Sequence, residues 1–227
     1  MPPAVIAIDG PAGSGKTVVG QRLADTLGYV YLDTGALYRA VTWLAIDRGV
    51  SPRDGERLAR LARDADIRVE RPTVADGRAY TVTVDGRDVT SDLSAPAVAE
   101  AVSIVAAHSV VRSELLPLQR RVASQGKTVI VGRDIGTVVC PTAELKLYFE
   151  APLDVRIARR VEQLAQQGRK PDPDRVASEL AERDRLDQSR ATAPLVPAAD
   201  AVVIDTSRYS IEEELALIIG LIAKTDP

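Results

Sequence analysis

Residues 10–17 read Gly-Pro-Ala-Gly-Ser-Gly-Lys-Thr, and no other segment restricts what this chain can fold into as strongly. The spacing is G-x-x-x-x-G-K-[ST]. Ahead of it, Ala4-Val5-Ile6-Ala7-Ile8 is a short apolar run of the kind that makes a buried strand. Behind it, Val19, Leu23 and Leu27 share one helical face, and Gly28 supplies a stop. Strand, glycine turn and helix in that order aim backbone N–H groups into one concavity at a helix N-terminus. Peptide donors and helix dipole together attract a polyphosphate there. A lysine in the first turn opposes the dipole unless an anion is bound beside it. Gly10, Pro11, Ala12, Gly13, Ser14, Gly15, Lys16 and Thr17 are therefore the expected phosphate cradle. Lys16 would reach the outer phosphates, and the Thr17 hydroxyl would hold magnesium.

The pattern that follows is α/β. Tyr29 to Leu32 is a second apolar run, ending at Asp33-Thr34-Gly35, and Ala36 to Arg48 reads as a helix with Leu37, Val41 and Leu44 inward. Ser51-Pro52 looks like an N-cap followed by a proline at the first helical position, starting a helix that buries Leu58, Leu61 and Ala65. Residues 66–92 break the rhythm: Tyr80, Val82 and Val84 alternate with threonines, and Asp85-Gly86 is a hairpin pair, so a small antiparallel patch is expected. Helices return over 96–105 and 109–125, the second burying Leu115, Leu118 and Val122. Strand runs follow at Val129 to Val131, Leu145 to Phe149 and Ala201 to Ile204. A charged helical stretch over 153–190 is interrupted at Gly168 to Pro171. Ser210-Ile211-Glu212-Glu213 is a capping box for a last helix that buries Leu215, Ile218, Ile219 and Ile222. Apolar strands alternating with helices imply a central parallel sheet covered on both faces, with ligands at the strands' carboxyl ends. Those ends carry Asp9-Gly10, Asp33-Thr34 and Gly132-Arg133-Asp134.

Composition removes other classes. A net charge of -3 gives no case for nucleic-acid binding. The single cysteine, Cys140, excludes an internal disulfide and fits a reducing compartment; the single histidine, His108, makes a histidine-built metal site implausible. No apolar run is long enough for a membrane span, and no signal peptide precedes the first strand, so a cytoplasmic monomer is expected. Cys140 and Trp43 read as core residues, and His108 as a local loop contact.

Arginines fall where this fold would aim them at the phosphate cradle. Arg39 lies early in the helix after Asp33, and Arg133 directly follows a strand. Arg156, Arg159 and Arg160 start the helix after Phe149, and Arg183 and Arg190 are spaced to share a face of the next. A fixed, planar guanidinium is the usual partner of phosphate. For the residues between 156 and 190, interleaved acids leave a salt-bridged exposed surface as an equal reading.

At Asp33 to Arg39, Gly132 to Val139, Glu182 to Arg190, Ala193 to Asp200 and Ile204 to Ser207, the chain closely resembles the bacterial cytidylate kinases. The resemblance spans nearly the whole length in order, and includes the 66–92 insert. It implies transfer of the terminal phosphoryl group of ATP to CMP or dCMP with magnesium. It also implies a P-loop kinase core over 1–35 and 126–227, a lid over about 155–172 and an acceptor region over 36–125. By resemblance, Gly10 to Val18 wrap the ATP phosphates and Arg156, Arg159 and Arg160 belong to the lid. Thr34, Tyr38 and Arg39 line the acceptor site, and Ser103, Arg112 and Asp134 read the cytosine. Arg133 and Arg183 bind phosphate as catalytic groups beside Lys16, Asp187 meets the ribose, and Arg190 the acceptor phosphate. Val18 departs from the family, which often has a second hydroxyl there. Kinases of UMP, AMP or shikimate would share the P-loop; only the acceptor-side motifs separate them.

Overall fold

A computed structural model describes residues 2–166 and 168–224. Five parallel strands form the central sheet: β1 (Val5–Asp9), β2 (Val30–Asp33), β6 (Thr128–Val131), β7 (Leu145–Glu150) and β8 (Val202–Asp205), in the order β2-β6-β1-β7-β8. The alternation of side chains divides the core. Ile6, Ile8, Val129, Val131, Leu147 and Phe149 face α1 (Lys16–Leu27) and α8 (Ile211–Lys224); Ala7, Leu32 and Ile130 face the opposite side. Each fully buried aliphatic side chain contributes roughly 2 kcal/mol, so the sheet is held rigid from both faces.

Between β2 and β6 the chain makes a second unit with its own core. It contains α2 (Thr34–Asp47), α3 (Gly55–Asp64), α4 (Pro96–Ala107), α5 (Ser109–Ala123) and a separate antiparallel sheet, β3 (Ile67–Glu70), β4 (Thr81–Val84) and β5 (Arg87–Asp88). The expected hairpin is present, with Asp85 and Gly86 both at positive φ, 51° and 81°. After β7, α6 (Leu153–Gln166) and α7 (Pro173–Gln188) pair, and Leu164, Val176 and Leu180 pack with Ala12 of the P-loop.

Several local expectations shift. The cap of α3 is Asp54, whose carboxylate accepts from Arg57 N at 3.1 Å; Ser51 and Pro52 sit in the preceding turn. Its fully buried residues are Leu58, Ala59 and Ala62, while Leu61 and Ala65 are half-buried, as are Leu118 and Val122 of α5. α2 starts two residues earlier than expected, at Thr34, because the Asp33 side chain caps it through Gly35 N. On α8 the capping box forms in both directions, Ser210 N to Glu213 at 2.8 Å and Glu213 N to Ser210 Oγ at 3.3 Å. Ile219 faces outward at 40% exposure. His108 bonds the Pro52 carbonyl at 2.9 Å, Trp43 packs on the insert core, and Cys140 is half-buried beside the central sheet.

Candidate active site

The P-loop is built by backbone conformation. Gly10, Gly13 and Gly15 adopt φ of 145°, 79° and 88°. A Cβ at Gly10 would stand 2.1 Å from the Phe149 carbonyl oxygen, so only glycine lets β1 turn so close to β7. Lys16, 6% exposed, curls back to the Pro11 carbonyl at 2.6 Å and Ser14 Oγ at 3.2 Å. Its pKa is pushed well down by burial and then by Arg133 and Arg183. Thr17 and Val18 are exposed on the first turn of α1, Val18 at 46%.

Two of the three arginines of α6 are rooted under this loop. Arg156 donates to Ala12 O at 3.2 Å and Ala151 O at 3.0 Å and pairs with Asp184 at 2.7 Å. Arg159 donates to Thr206 Oγ1 and O at 2.9 and 2.7 Å. Arg160 bonds Gln163 at 2.6 Å, and its pKa is lowered by burial and by Arg169.

The acceptor-side residues converge on the same strand ends. Asp9 accepts from Ile135 N and Gly136 N, both at 2.8 Å, and so fastens the wide turn that follows β6. Burial raises its pKa to about 6 against the pull of those two bonds. In that turn Asp134 is ion-paired with Arg112 of α5, and the Arg112 guanidinium lies 5.3 Å from the centre of the Tyr38 ring. Ser103 is half-buried on α4, one turn before Ala106, whose carbonyl accepts from Arg112 at 3.3 Å. Thr34 Oγ1 donates to Val131 O at 3.0 Å, and Tyr38 OH accepts from Gln119 at 3.4 Å.

Asp187, 2% exposed, is the hub of the arginines. One oxygen takes Arg133 Nε at 2.9 Å and the other pairs with Arg190. Arg190 lies past the end of α7 rather than on its face with Arg183, and returns to Asp187 from the loop. Buried Nε of Arg183, and Nε and Nη1 of Arg190, have no hydrogen-bond partner. Burial and neighbouring guanidinium groups depress both: Arg183 to about 9, with Arg133, Arg39 and Arg160 beside it, and Arg190 to about 10, with Arg112 and Arg133. Buried donors without acceptors, in a cluster of like charge, are what an anion site requires.

A sequence profile described as Cytidylate kinase matches residues 6–224. The chain belongs to the cytidylate kinase family. It is 45% identical over 222 residues to a cytidylate kinase of Roseiflexus castenholzii, covering 97% of this chain and 94% of that one. It is 46% identical over 218 residues to that of Pelotomaculum thermopropionicum, covering 96% and 95%. A solved structure of an uncharacterized protein from Eubacterium ventriosum shares the fold, with a TM-score of 0.52 at 13% identity, covering 96% of this chain and 98% of that one. Within this cytidylate kinase fold, the strand-end pattern marked Asp9 and Asp33 without giving either a role, and nothing in the sequence pointed to Tyr80, whose hydroxyl lies between Arg39 and Asp33. Asp33 and Asp9 carried a signal, a carboxylate ending an apolar strand; Tyr80 carried none, because only folding brings the insert to β2.

Proposed function

We propose that this protein transfers the terminal phosphoryl group of ATP to CMP or dCMP, giving ADP and CDP or dCDP. The observation that supports this reading best is the set of partnerless guanidinium donors, Arg183 beside Lys16 and Arg133, and Arg190 beside Arg133 and Arg112. Two phosphate groups can be drawn together there despite their repulsion. Membership of the cytidylate kinase family supports it independently.

In this reading Gly10 to Val18 wrap the donor phosphates, Lys16 shifts from Pro11 O to the outer ones, and Arg156, Arg159 and Arg160 hold the donor side. Arg39, Arg133, Arg183 and Arg190 take the acceptor phosphate. The attacking atom is a phosphate oxygen already ionised at neutral pH, so positioning and positive charge suffice and no general base is needed. Magnesium would supply further charge neutralisation between the phosphates. Thr17, an exposed hydroxyl at the first turn of α1, suits an ion that keeps waters and phosphate oxygens as its other ligands. Among the described residues no three acidic, cysteine or histidine side chains gather to hold a metal by themselves.

Base choice follows from the Arg112–Asp134 pair together with Ser103 of α4, and Thr34 lines the acceptor site. Cytosine offers a donor amine at N4 and an acceptor at N3, which a carboxylate and a guanidinium complement; uracil reverses both. Tyr38 and the pair would flank the base, and Asp187 would meet the ribose through the lone pairs its two arginines leave.

The division of labour we infer is a core of residues 1–35 and 126–227, an acceptor region of 36–125, and a lid over about 155–172. Because Arg156 and Arg159 are tied to the P-loop and Thr206, lid motion would begin beyond the first turns of α6. No single helix among the described residues is long and apolar enough to cross a membrane; that the protein works as a monomer in the cytoplasm is part of the same proposal.

The test is ADP release from magnesium-ATP across a panel of nucleoside monophosphates. CMP and dCMP should be the best acceptors; a preference for UMP or AMP would overturn the assignment.

A further inference from the structure

Tyr80 carries the insert to the end of β2. Tyr80, directly before β4, lies against Tyr31 of β2, with ring centres 6.2 Å apart and planes inclined by 23°. Its hydroxyl accepts from Arg39 Nη2 at 3.1 Å and donates to Asp33 Oδ2 at 3.3 Å. Asp33 Oδ2 itself accepts from Arg39 Nη2 at 2.9 Å, which closes a triangle of hydrogen bonds. Burial, followed by the Asp33 charge, keeps the phenol protonated up to about pH 12, so one neutral hydroxyl can donate and accept at once. Although burial opposes it, the Asp33 carboxyl stays below its ordinary pKa because Arg39 is beside it, so its charge persists at neutral pH.

The triangle uses a single nitrogen of Arg39. The side of the guanidinium bearing Nη1 is kept clear by Gly35, where a Cβ would stand 3.3 Å from Nη1 and 2.9 Å from Asp33 Oδ1. The ring stack alone would be met equally well by phenylalanine, so packing does not account for the hydroxyl's two bonds.

We propose that Tyr80 is a positioning residue for the acceptor phosphate: with Asp33 it clamps the Nη2 corner of Arg39, so that the Nη1 side of the guanidinium is presented to the phosphate of the incoming nucleoside monophosphate. An arginine side chain has large rotamer freedom, and fixing it before the ligand arrives removes that cost from binding. The Tyr31 stack makes the clamp rigid, since it joins the insert to an edge strand of the central sheet. The inference rests on the phosphotransferase reading above.

The experiment measures KM and kcat for CMP and for ATP in Tyr80→Phe, alone and combined with Arg39→Ala, together with CMP binding by calorimetry. Tyr80→Phe keeps the stack and removes the hydroxyl. We expect KM and Kd for CMP to rise roughly 3–10-fold, in line with one lost hydrogen bond to a charged group. KM for ATP and kcat should stay within about twofold, because the donor half is untouched. With Arg39 already removed, Tyr80→Phe should move CMP binding less than about twofold. Unchanged CMP binding in Tyr80→Phe would overturn the proposal. So would an equal loss in the Arg39→Ala background, or a parallel rise in KM for ATP. If the unmodified enzyme released no ADP with any nucleoside monophosphate, the phosphotransferase reading would fall and the proposal with it; failure of the clamp alone leaves normal turnover of CMP.

Discussion

The donor and acceptor halves proposed for this site are made by opposite means. The donor cradle is nine consecutive residues, Gly10 to Val18, shaped by glycine conformations and a turn that presses against the β7 carbonyl. The acceptor side is a set of side chains gathered from residue 34 to residue 190, standing on α2, α4, α5, α7, two loops and the insert. The donor loop satisfies its own lysine, through Pro11 O and Ser14. The acceptor side balances its arginines with carboxylates, Asp33, Asp134 and Asp187, and leaves some guanidinium groups unmatched. A cradle of backbone recognises what all triphosphates share. A cradle of side chains can be altered one position at a time, and that is where a choice among acceptors can reside.

The sharpest way to separate the halves is Lys16→Ala. The lysine touches only the loop that holds it, and its buried charge is already opposed by burial and by Arg133 and Arg183. We expect kcat to fall by about 10²–10³-fold, the scale of losing one charge-stabilising group in phosphoryl or acyl transfer. The thermal midpoint should hold or rise. A variant that loses stability but keeps its rate would reverse the roles given to the two halves.

Asp187→Asn probes the other half through folding. The carboxylate sits between Arg133 and Arg190, and its neutral replacement strands two largely buried guanidinium groups. Leaving such charges uncompensated costs about 3 kcal/mol. Inorganic phosphate or CMP should recover part of the lost midpoint in a thermal melt, since an anion can replace the missing charge. A loss that no anion repairs would mean the hub is structural only.

The sequence is legible where one segment makes one structure. Gly10 to Thr17 can be read because the strand, the turn and the helix are contiguous, and the same holds for Asp85-Gly86 and the Ser210–Glu213 box. Reading fails where a choice between neighbours depends on packing. Asp54 displaces Ser51 as the α3 cap, and Ile219 lies outside the buried stripe of Ile218 and Ile222. On the acceptor side, the resemblance grouped Asp134 with Arg112 and Ser103 around the base, but not as an ion pair, and it named Asp187, Arg133 and Arg190 separately. Asp187 joins both arginines, and Asp134 pairs with Arg112, only when α5, α7 and the turn after β6 close together. Tyr80 is the extreme case, an alternating strand residue with no local sign that its hydroxyl will meet β2.

Within the acceptor half, Asp134→Ala should alter selection as well as stability, since it strands the buried Arg112 as Asp187→Asn strands its arginines. It removes the proposed acceptor for the cytosine amine and frees Arg112, which retains Ala106 O and the Tyr38 ring. Mismatched buried polar groups are what make such discrimination large. We expect the ratio of kcat/KM for CMP over UMP to fall by about 30–100-fold, mainly through loss of CMP turnover. An unchanged ratio would move base recognition away from the Arg112–Asp134 pair.

The smallest effect should come from a carboxyl that belongs to neither half. Glu214 on α8 is 3% exposed, one oxygen lacks a partner, and burial, only partly offset by Arg159, raises its pKa from 4.5 to about 7. The folded state therefore holds this proton more tightly than the unfolded chain. Stability is then lost as pH rises from about 4.5 towards 7, and stays lost above that. Glu214→Gln cannot ionise and removes this penalty. The variant should match the parent in urea melts below about pH 4.5, where both side chains are neutral, and exceed it above about pH 7. The expected gain is about 1–2 kcal/mol, the shift being discounted for screening at a partly buried site. Turnover at neutral pH should be unchanged, since Glu214 touches neither the P-loop nor the acceptor arginines. A gain at low pH instead, or a change in KM for either nucleotide, would tie this carboxyl to the donor half through Arg159 and Thr206.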